Sequence, residues 1–130
     1  MRAEIERRRG QDFFRRAVLA NFGNLCCVTG IDEPRLLVAC HISPWGSDIS
    51  NRHNPRNGLC LSATFDKAFD AHLMTVAPDL TVRLSNRLLK HHDAETRDYF
   101  APYEGRKLKQ PTHLMPDANF LSDHNGRFVV

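Results

Sequence analysis

Apolar residues in the first part of the chain recur at the spacing of a helix. Between Ile5 and Phe22 they recur at helical spacing, three and four residues apart from Phe13 onward, and Gly23-Asn24 then supplies residue types that end helices. The polar positions between them include several arginines. The pattern predicts an amphipathic helix whose outer side is rich in arginine.

Two short apolar runs follow and predict strands. The first is Leu25–Val28, closed by Thr29-Gly30, and the second lies within 35–42. From Ser43 to Asn57 turn-forming residues dominate, which indicates a long irregular loop of the kind that usually carries function.

The second half of the chain predicts further short elements. Apolar character resumes at 58–61, and Ser62 can cap a helix over 63–70. The runs on either side of Ala77-Pro78-Asp79 predict a hairpin within 73–84. Helices are expected over 93–101 and 116–125. This mixture of helices and short strands predicts an α+β fold.

Composition limits the class of protein. The chain has 130 residues, 42% of them hydrophobic and 25% charged, which is typical of one compact domain. No stretch approaches the ~20 apolar residues of a membrane span, and the N-terminus is charged, so we expect a cytoplasmic protein. Disulfides are therefore not expected among its four cysteines. A zinc site usually uses C-x2-C pairs, whereas Cys26 and Cys27 are adjacent, so structural zinc is not expected either.

Charge gives a weaker signal. The net charge is only +3, but residues 1–20 contain six arginines against three acidic residues, an excess equal to the whole surplus. Arginine suits bidentate contact with phosphate or carboxylate groups. A solvated helix face is the alternative interpretation.

Three residues form a pattern with chemical meaning. His41 ends a predicted strand, Asn57 follows sixteen residues later, and Asp66 lies nine residues further on, in a predicted helix. A neutral histidine can take a proton from water, an aspartate can hold a hard divalent ion, and an asparagine can orient its neighbours. Asp70 shares a helical face with Asp66. The pattern favours a phosphodiester hydrolysis site with one metal ion.

Longer segments resemble the HNH endonuclease family, in the branch found as the nuclease module of restriction-like and phage-defence proteins. The segments that carry the resemblance are 10–15, 26–30, 37–45, 54–61, 65–70 and 99–106. The resemblance implies a small ββα-metal (His-Me finger) core with an N-terminal helix, an extra β-hairpin and C-terminal helices. It predicts one nuclease domain over 1–130, with the Arg-rich helix in 1–24, the core in 25–72 and the hairpin and helical extension in 73–130.

The family also implies roles for individual residues. His41 is expected to be the general base, Asn57 to be mostly structural, and Asp66 to bind one divalent ion, expected to be Mg²⁺, with Mn²⁺ or another transition metal as the alternative. Many members carry a second ligand where this chain has Cys40, and a thiol is a poor ligand for Mg²⁺. Either phosphate and water complete the site with help from Asp70 or the Asn57 carbonyl group, or Cys40 faces the core and a softer metal is favoured.

Other residues near the motif have two interpretations each. Asp70 is a candidate ligand, but it could instead brace Arg56 or cap the following turn. Trp45 could anchor the loop or stack on a base. Asn57 could be a simple turn residue with positive φ. The remaining cysteines are expected to be small buried hydrophobes, and the other histidines receive no role. Candidate phosphate ligands, which could equally be solvated loop charges, are Arg52, His53, Arg56 and Lys67.

The sequence thus predicts a metal-dependent DNA endonuclease that acts in restriction or phage defence. The first alternative is a catalytically impaired nucleic-acid-binding module with the same fold, and the second is a zinc-stapled interaction domain. DNA is the expected partner, contacted mainly through its phosphates. A fused or associated specificity domain and a homodimer are further possibilities, and no membrane partner is expected.

Overall fold

The computed structural model describes residues 2–130, which form nine labelled helices and strands joined by short 3-10 turns. In chain order they are α1 (Arg2–Asn21), β1 (Leu37–His41), β2 (Gly58–Ser62), α2 (Ala63–Asp70), β3 (Met74–Val76), β4 (Val82–Leu84), α3 (Asn86–Leu89), α4 (Ala94–Phe100) and α5 (Ala118–Gly126). The mixture of helices with two small sheets confirms the predicted α+β class. Within the described part of the chain, no helix is both long enough and apolar enough to cross a membrane.

A two-stranded ribbon and the helix after it form the centre of the fold. β1 and β2 pair antiparallel, with Leu37 opposite Ser62 and His41 opposite Gly58. α2 starts at the residue after β2 ends, so the helix lies close to both strands. This ββα unit brings the end of β1 and the first two turns of α2 together.

Helix α1 packs across the start of the ribbon through Phe14, Val18 and Leu19, which are buried. The crossing depends on Gly58, because a Cβ atom there would lie 2.9 Å from the Phe14 ring and would collide with Val18. The helix ends where the sequence predicted, at Gly23 and Asn24, whose φ angles are 68° and 58°.

The hydrophobic core joins the ribbon to the C-terminal elements. Phe65 and Phe69 on α2 are fully buried, together with Leu59 and Leu61 of β2. β3 and β4 form the predicted hairpin, and α5 packs on β3. The core therefore holds α2 from both sides, which fixes the direction of its polar face.

The predicted strand at Leu25–Val28 is wrong. One ladder-like bond exists, from the Cys27 N–H to the Cys60 carbonyl, but the Cys26 N–H donates to Ile31 and the Gly30 N–H donates to Cys26. Gly30 has a φ of 82°, which turns the segment back on itself. An apolar run of four residues shows that a segment is buried, but not that it is extended.

Two further details differ from expectation. Ser62 occupies the N-cap position of α2, but its side chain makes no capping hydrogen bond and its hydroxyl is buried without a partner in residues 2–130. The one-turn helix α3, capped by the Ser85 hydroxyl, was not predicted. The expectation of buried cysteines is confirmed for Cys26, Cys27 and Cys60.

Candidate active site

A cleft of about 470 Å³ opens between the end of β1 and the polar face of α2. His41 and Trp45 line it from the strand and the following loop, and Asp66 and Asp70 line it from the helix. The structure thus brings together four residues that are separated by up to 29 positions in the sequence.

His41 is held in one orientation by two contacts. Its ring stacks on Phe14 with the centroids 4.1 Å apart and the planes 7° from parallel, and its Nε2 lies 2.7 Å from the Arg52 carbonyl oxygen. A carbonyl oxygen only accepts hydrogen bonds, so Nε2 carries the proton and Nδ1 keeps its lone pair. Burial lowers the pKa of the ring, although the bond to Arg52 partly opposes this. A neutral imidazole with a free Nδ1 is the form that can accept a proton.

The loop that supplies this carbonyl is itself held by Arg52. The Arg52 Nε donates to the Trp45 carbonyl at 2.7 Å, and the guanidinium lies over the Trp45 indole, 4.4 Å from its centroid. The indole in turn approaches His41 edge-on at 5.7 Å. Arg52, predicted to bind phosphate, therefore uses its side chain within the loop, and Trp45 packs against His41 as a loop anchor.

Asn57 joins the two ends of the same loop. Its side chain is 0% exposed, its Oδ1 accepts from the Ser43 N–H at 2.7 Å, and its Nδ2 donates to the carbonyls of Ser43 and Asn51. Its backbone carbonyl accepts from Ile42. The side-chain and backbone oxygens of Asn57 thus both accept hydrogen bonds from backbone N–H groups just after β1. Asn57 has no positive φ, so the simple turn interpretation does not hold.

Asp66 and Asp70 share one face of α2, as their spacing predicted. A carboxylate oxygen of each and the Cys40 sulfur all lie within 4.8 Å of one another. Burial raises the pKa of Asp70, and the neighbouring Asp66 raises it further, while Lys67 partly offsets both effects. Two close carboxylates that repel each other fit a hard divalent cation, because the cation would relieve that repulsion.

Cys40 lies at the base of the cleft, and it is both buried and next to the carboxylates. The residue is 2% exposed, and its sulfur is 3.9 Å from the Asp70 Oδ1. Burial, followed by the charges of Asp66 and Asp70, holds the pKa of Cys40 well above its ordinary value, so the side chain is a neutral thiol. The two carboxylates suit the divalent ion that the family resemblance implies. The neutral Cys40 thiol contributes no negative charge to such a site.

Two histidines outside the sequence motif, His72 and His124, also line the cleft. His124 is buried, with Nδ1 2.8 Å from the Thr75 hydroxyl, Nε2 2.9 Å from the Phe69 carbonyl and its ring stacked on Phe69. Burial lowers its pKa to about 4. His72 has a φ of 61°, and its ring centroid lies 5.0 Å from that of His124. Their positions depend on contacts between distant segments, so local spacing along the chain carries no signal for them.

The remaining candidate phosphate ligands lie outside the cleft. The Arg56 Nε donates to the Met115 carbonyl at 3.0 Å, and within residues 2–130 no ion pair joins Arg56 to Asp70. His53 packs against Trp45 at 5.5 Å, and its Nδ1 is buried without a partner within residues 2–130. Lys67 is exposed on α2. The structure does not bring these cations together around Asp66.

Comparison with known proteins agrees with this architecture. Residues 26–77, which contain the ribbon, its loop, α2 and β3, match the family described as HNH endonuclease, and this confirms the resemblance seen in the sequence. No curated protein sequence matches the chain.

A solved structure described as "Modification dependent TagI restriction endonuclease" has a similar fold. The match has a TM-score of 0.54 and 17% sequence identity, and it covers 88% of this chain. At that identity the likeness shows the fold alone. This chain spans 36% of the length of that protein.

Proposed function

We propose that this protein is a DNA endonuclease that depends on one divalent metal ion, with His41 as its general base. The observation that carries the proposal is the pairing of a neutral imidazole, whose Nδ1 is free, with two adjacent carboxylates in the same cleft. Phosphodiester hydrolysis needs both a proton acceptor for water and a positive charge near the phosphate. The HNH family match supports the same reaction.

In the proposed mechanism, His41 accepts a proton from a water molecule as its oxygen attacks phosphorus. The bond from phosphorus to the 3′ oxygen then breaks, and that oxygen takes a proton from solvent, which gives 5′-phosphate and 3′-hydroxyl ends. The imidazolium that forms at His41 is stabilised by its bond to the Arg52 carbonyl until it returns its proton to water.

The other polar residues have supporting roles. Asp66 and Asp70 would hold the ion, with Cys40 behind them, and a bound Mg²⁺ or Mn²⁺ would supply stabilisation of the negative charge on the phosphate and the departing oxygen. Asn57 keeps the loop closed so that the Arg52 carbonyl stays against His41. His41 and Asn57 are held by hydrogen bonds within the protein itself, and such preorganisation favours catalysis.

We further propose that the nuclease acts in restriction or phage defence in the cytoplasm. The support is a fold shared with a protein described as a modification-dependent restriction endonuclease. Because this chain spans 36% of that protein, we assign sequence or modification recognition to a fused or associated domain.

A second candidate is a nucleic-acid-binding module with the same fold and impaired catalysis. The observation that favours it is Cys40, a buried neutral thiol where many relatives carry a second metal ligand. Such a module would bind DNA in a metal-independent manner and would not cut it.

Incubation with supercoiled plasmid separates the two candidates. The full chain is mixed with modified and unmodified plasmid in Mg²⁺, Mn²⁺ or EDTA, and His41→Ala is compared with His113→Ala, which changes an exposed histidine that does not line the cleft. We expect metal-dependent nicking that falls by about 10²–10⁴-fold in His41→Ala and persists in His113→Ala. DNA binding without nicking under every condition would establish the impaired module.

A further inference from the structure

The cleft is lined by acidic residues, which by themselves repel the phosphates of DNA. Among residues 2–130, its lining includes Asp66 and Asp70 but no lysine or arginine. Three arginines of α1 and of the loop after β1 donate to backbone carbonyls, namely Arg15 to Leu37 and Pro34, Arg52 to Trp45, and Arg56 to Met115. Since neutralisation of phosphates dominates DNA affinity, other cations must supply it.

The first half of α1 supplies free cations. Residues 2–9 are all exposed, and the first buried position of the helix is Phe14, so about 12 Å of exposed helix precedes the part that packs on the core. This projecting segment, 2–9, carries four arginines and two glutamates. Arg8 pairs with Glu4 at 3.1 Å, while Arg7 and Arg9 make no ion pair within the described chain.

The projecting segment is fixed relative to His41. Phe14 stacks on the His41 ring, and one turn earlier Gly10 lies directly on His53. Any Cβ at position 10 would collide with the His53 ring, so the helix lies closer to the loop than another residue would allow. Glycine in mid-helix is unfavourable, and close approach is the reason this position tolerates it.

The helix period selects Arg7 from the exposed arginines. Residues 7, 10 and 14 lie on one face of α1, and Arg7 is about 20° from the direction of Phe14, whereas Arg9 is about 140° away. Arg7 lies about 10 Å from Phe14 along the helix axis, which matches the axial rise of about three base pairs of DNA. Position 7 thus lies on the same face of α1 as Phe14 and Gly10, which contact His41 and His53.

We propose that the projecting segment 2–9 is an arm that contacts the phosphates of the DNA strand beside the cleft, with Arg7 as its principal contact. The arm rests on the proposed nuclease function and extends it, because it assigns DNA positioning to a helix outside the residues 26–77 that match the family. It also compensates for the cation-poor cleft.

Arg7→Gln and its matched control Arg9→Gln test the arm. Both remove one positive charge from the same exposed segment and keep a good helix former, but they lie on different sides of α1. Affinity for a duplex oligonucleotide is measured by fluorescence anisotropy over a range of salt concentrations, with EDTA present so that the DNA stays intact. We expect Arg7→Gln to reduce the slope of log affinity against log salt by about 0.9 and to weaken binding several-fold. Arg9→Gln should stay close to the parent.

Three results would refute the proposal that residues 2–9 contact DNA mainly through Arg7. They are equal effects of the two substitutions, no effect of either substitution, and no measurable DNA binding by the parent. Plasmid nicking is measured in parallel, so the two proposals fail separately. A parent protein that nicks DNA while Arg7→Gln binds as the parent does would refute the arm and leave the nuclease. A parent that never nicks, yet binds DNA through Arg7, would refute the nuclease and leave the arm.

Discussion

Replacement of Cys40 by Asp tests the metal site most directly, because the thiol lies 3.9 Å from an Asp70 oxygen and is almost fully buried. A carboxylate in its place would sit beside two existing carboxylates. At about 4 Å and an effective dielectric constant near 20, each pair of like charges repels by about 4 kcal/mol. Protonation of one carboxylate limits this cost, so we expect Cys40→Asp to lose about 4 kcal/mol of unfolding free energy in EDTA.

The same change should make the protein more responsive to metal. A third hard oxygen ligand would raise the affinity for Mg²⁺, and a ligand present at 100 times its Kd stabilises the folded state by about 2.7 kcal/mol. Cys40→Asp should therefore regain much of its lost stability in Mg²⁺, and Mg²⁺-supported nicking should increase relative to the parent.

Cys40→Asn is the matched control, because it has the shape of Asp without the charge. Urea unfolding of the parent and both variants, in EDTA and in Mg²⁺, separates the cost of packing from the cost of charge. If Cys40→Asp and Cys40→Asn are equally stable in EDTA, the thiol does not face the carboxylates. If Cys40→Asp is destabilised and Mg²⁺ restores nothing, position 40 is a core position and not a ligand position.

Three further predictions concern other parts of the cleft. The pKa of His124 is about 4 in the folded protein and about 6.5 when unfolded, so the unfolded state binds more protons and stability falls as pH falls below 6.5. Between pH 7.5 and pH 5, the free energy of unfolding measured in urea should fall by about 2 kcal/mol more for the parent than for His124→Gln. An equal fall in the two proteins would show that folding does not lower the pKa of His124. Asp66→Asn should lower Mn²⁺ affinity in calorimetry, whereas its exposed neighbour variant Lys67→Gln should not; unchanged affinity in Asp66→Asn would remove that ligand. Arg52→Ala should slow nicking about tenfold without a change in the salt slope of DNA binding, because Arg52 holds the loop that orients His41, and a reduced slope would instead support a phosphate contact.

The sequence predicts which residues meet in the cleft. His41 and Asp66 are recognisable from their order with Asn57 and from the segments that resemble the HNH family, and Asp70 follows from the helix period. The α1 helix, the hairpin and the last helices were also predictable, since their apolar periods and end residues are local features.

Other features depend on contacts that no local pattern encodes. Arg56 bonds to Met115, 59 residues away, and His124 bonds to Phe69, 55 residues away. Loop charges such as Arg52 look available for DNA in the sequence, but buried backbone carbonyls must find donors, and nearby arginines supply them. The Leu25–Val28 turn was missed for a related reason, because burial in the core does not distinguish a turn from a strand.

Gly10 and Gly58 have a consequence for how mutational scans of this protein should be interpreted. Neither glycine has a side chain that could touch DNA or metal, yet both mark places where α1 lies against the segments that position His41. A single methyl group at Gly58 would push Phe14 away from the ring it supports, and one at Gly10 would push against His53. In a mutational scan that measures DNA cleavage, substitutions at both positions would lower activity as substitutions of the site residues do. They would act through the distance of α1 from the loop at Gly10 and from strand β2 at Gly58.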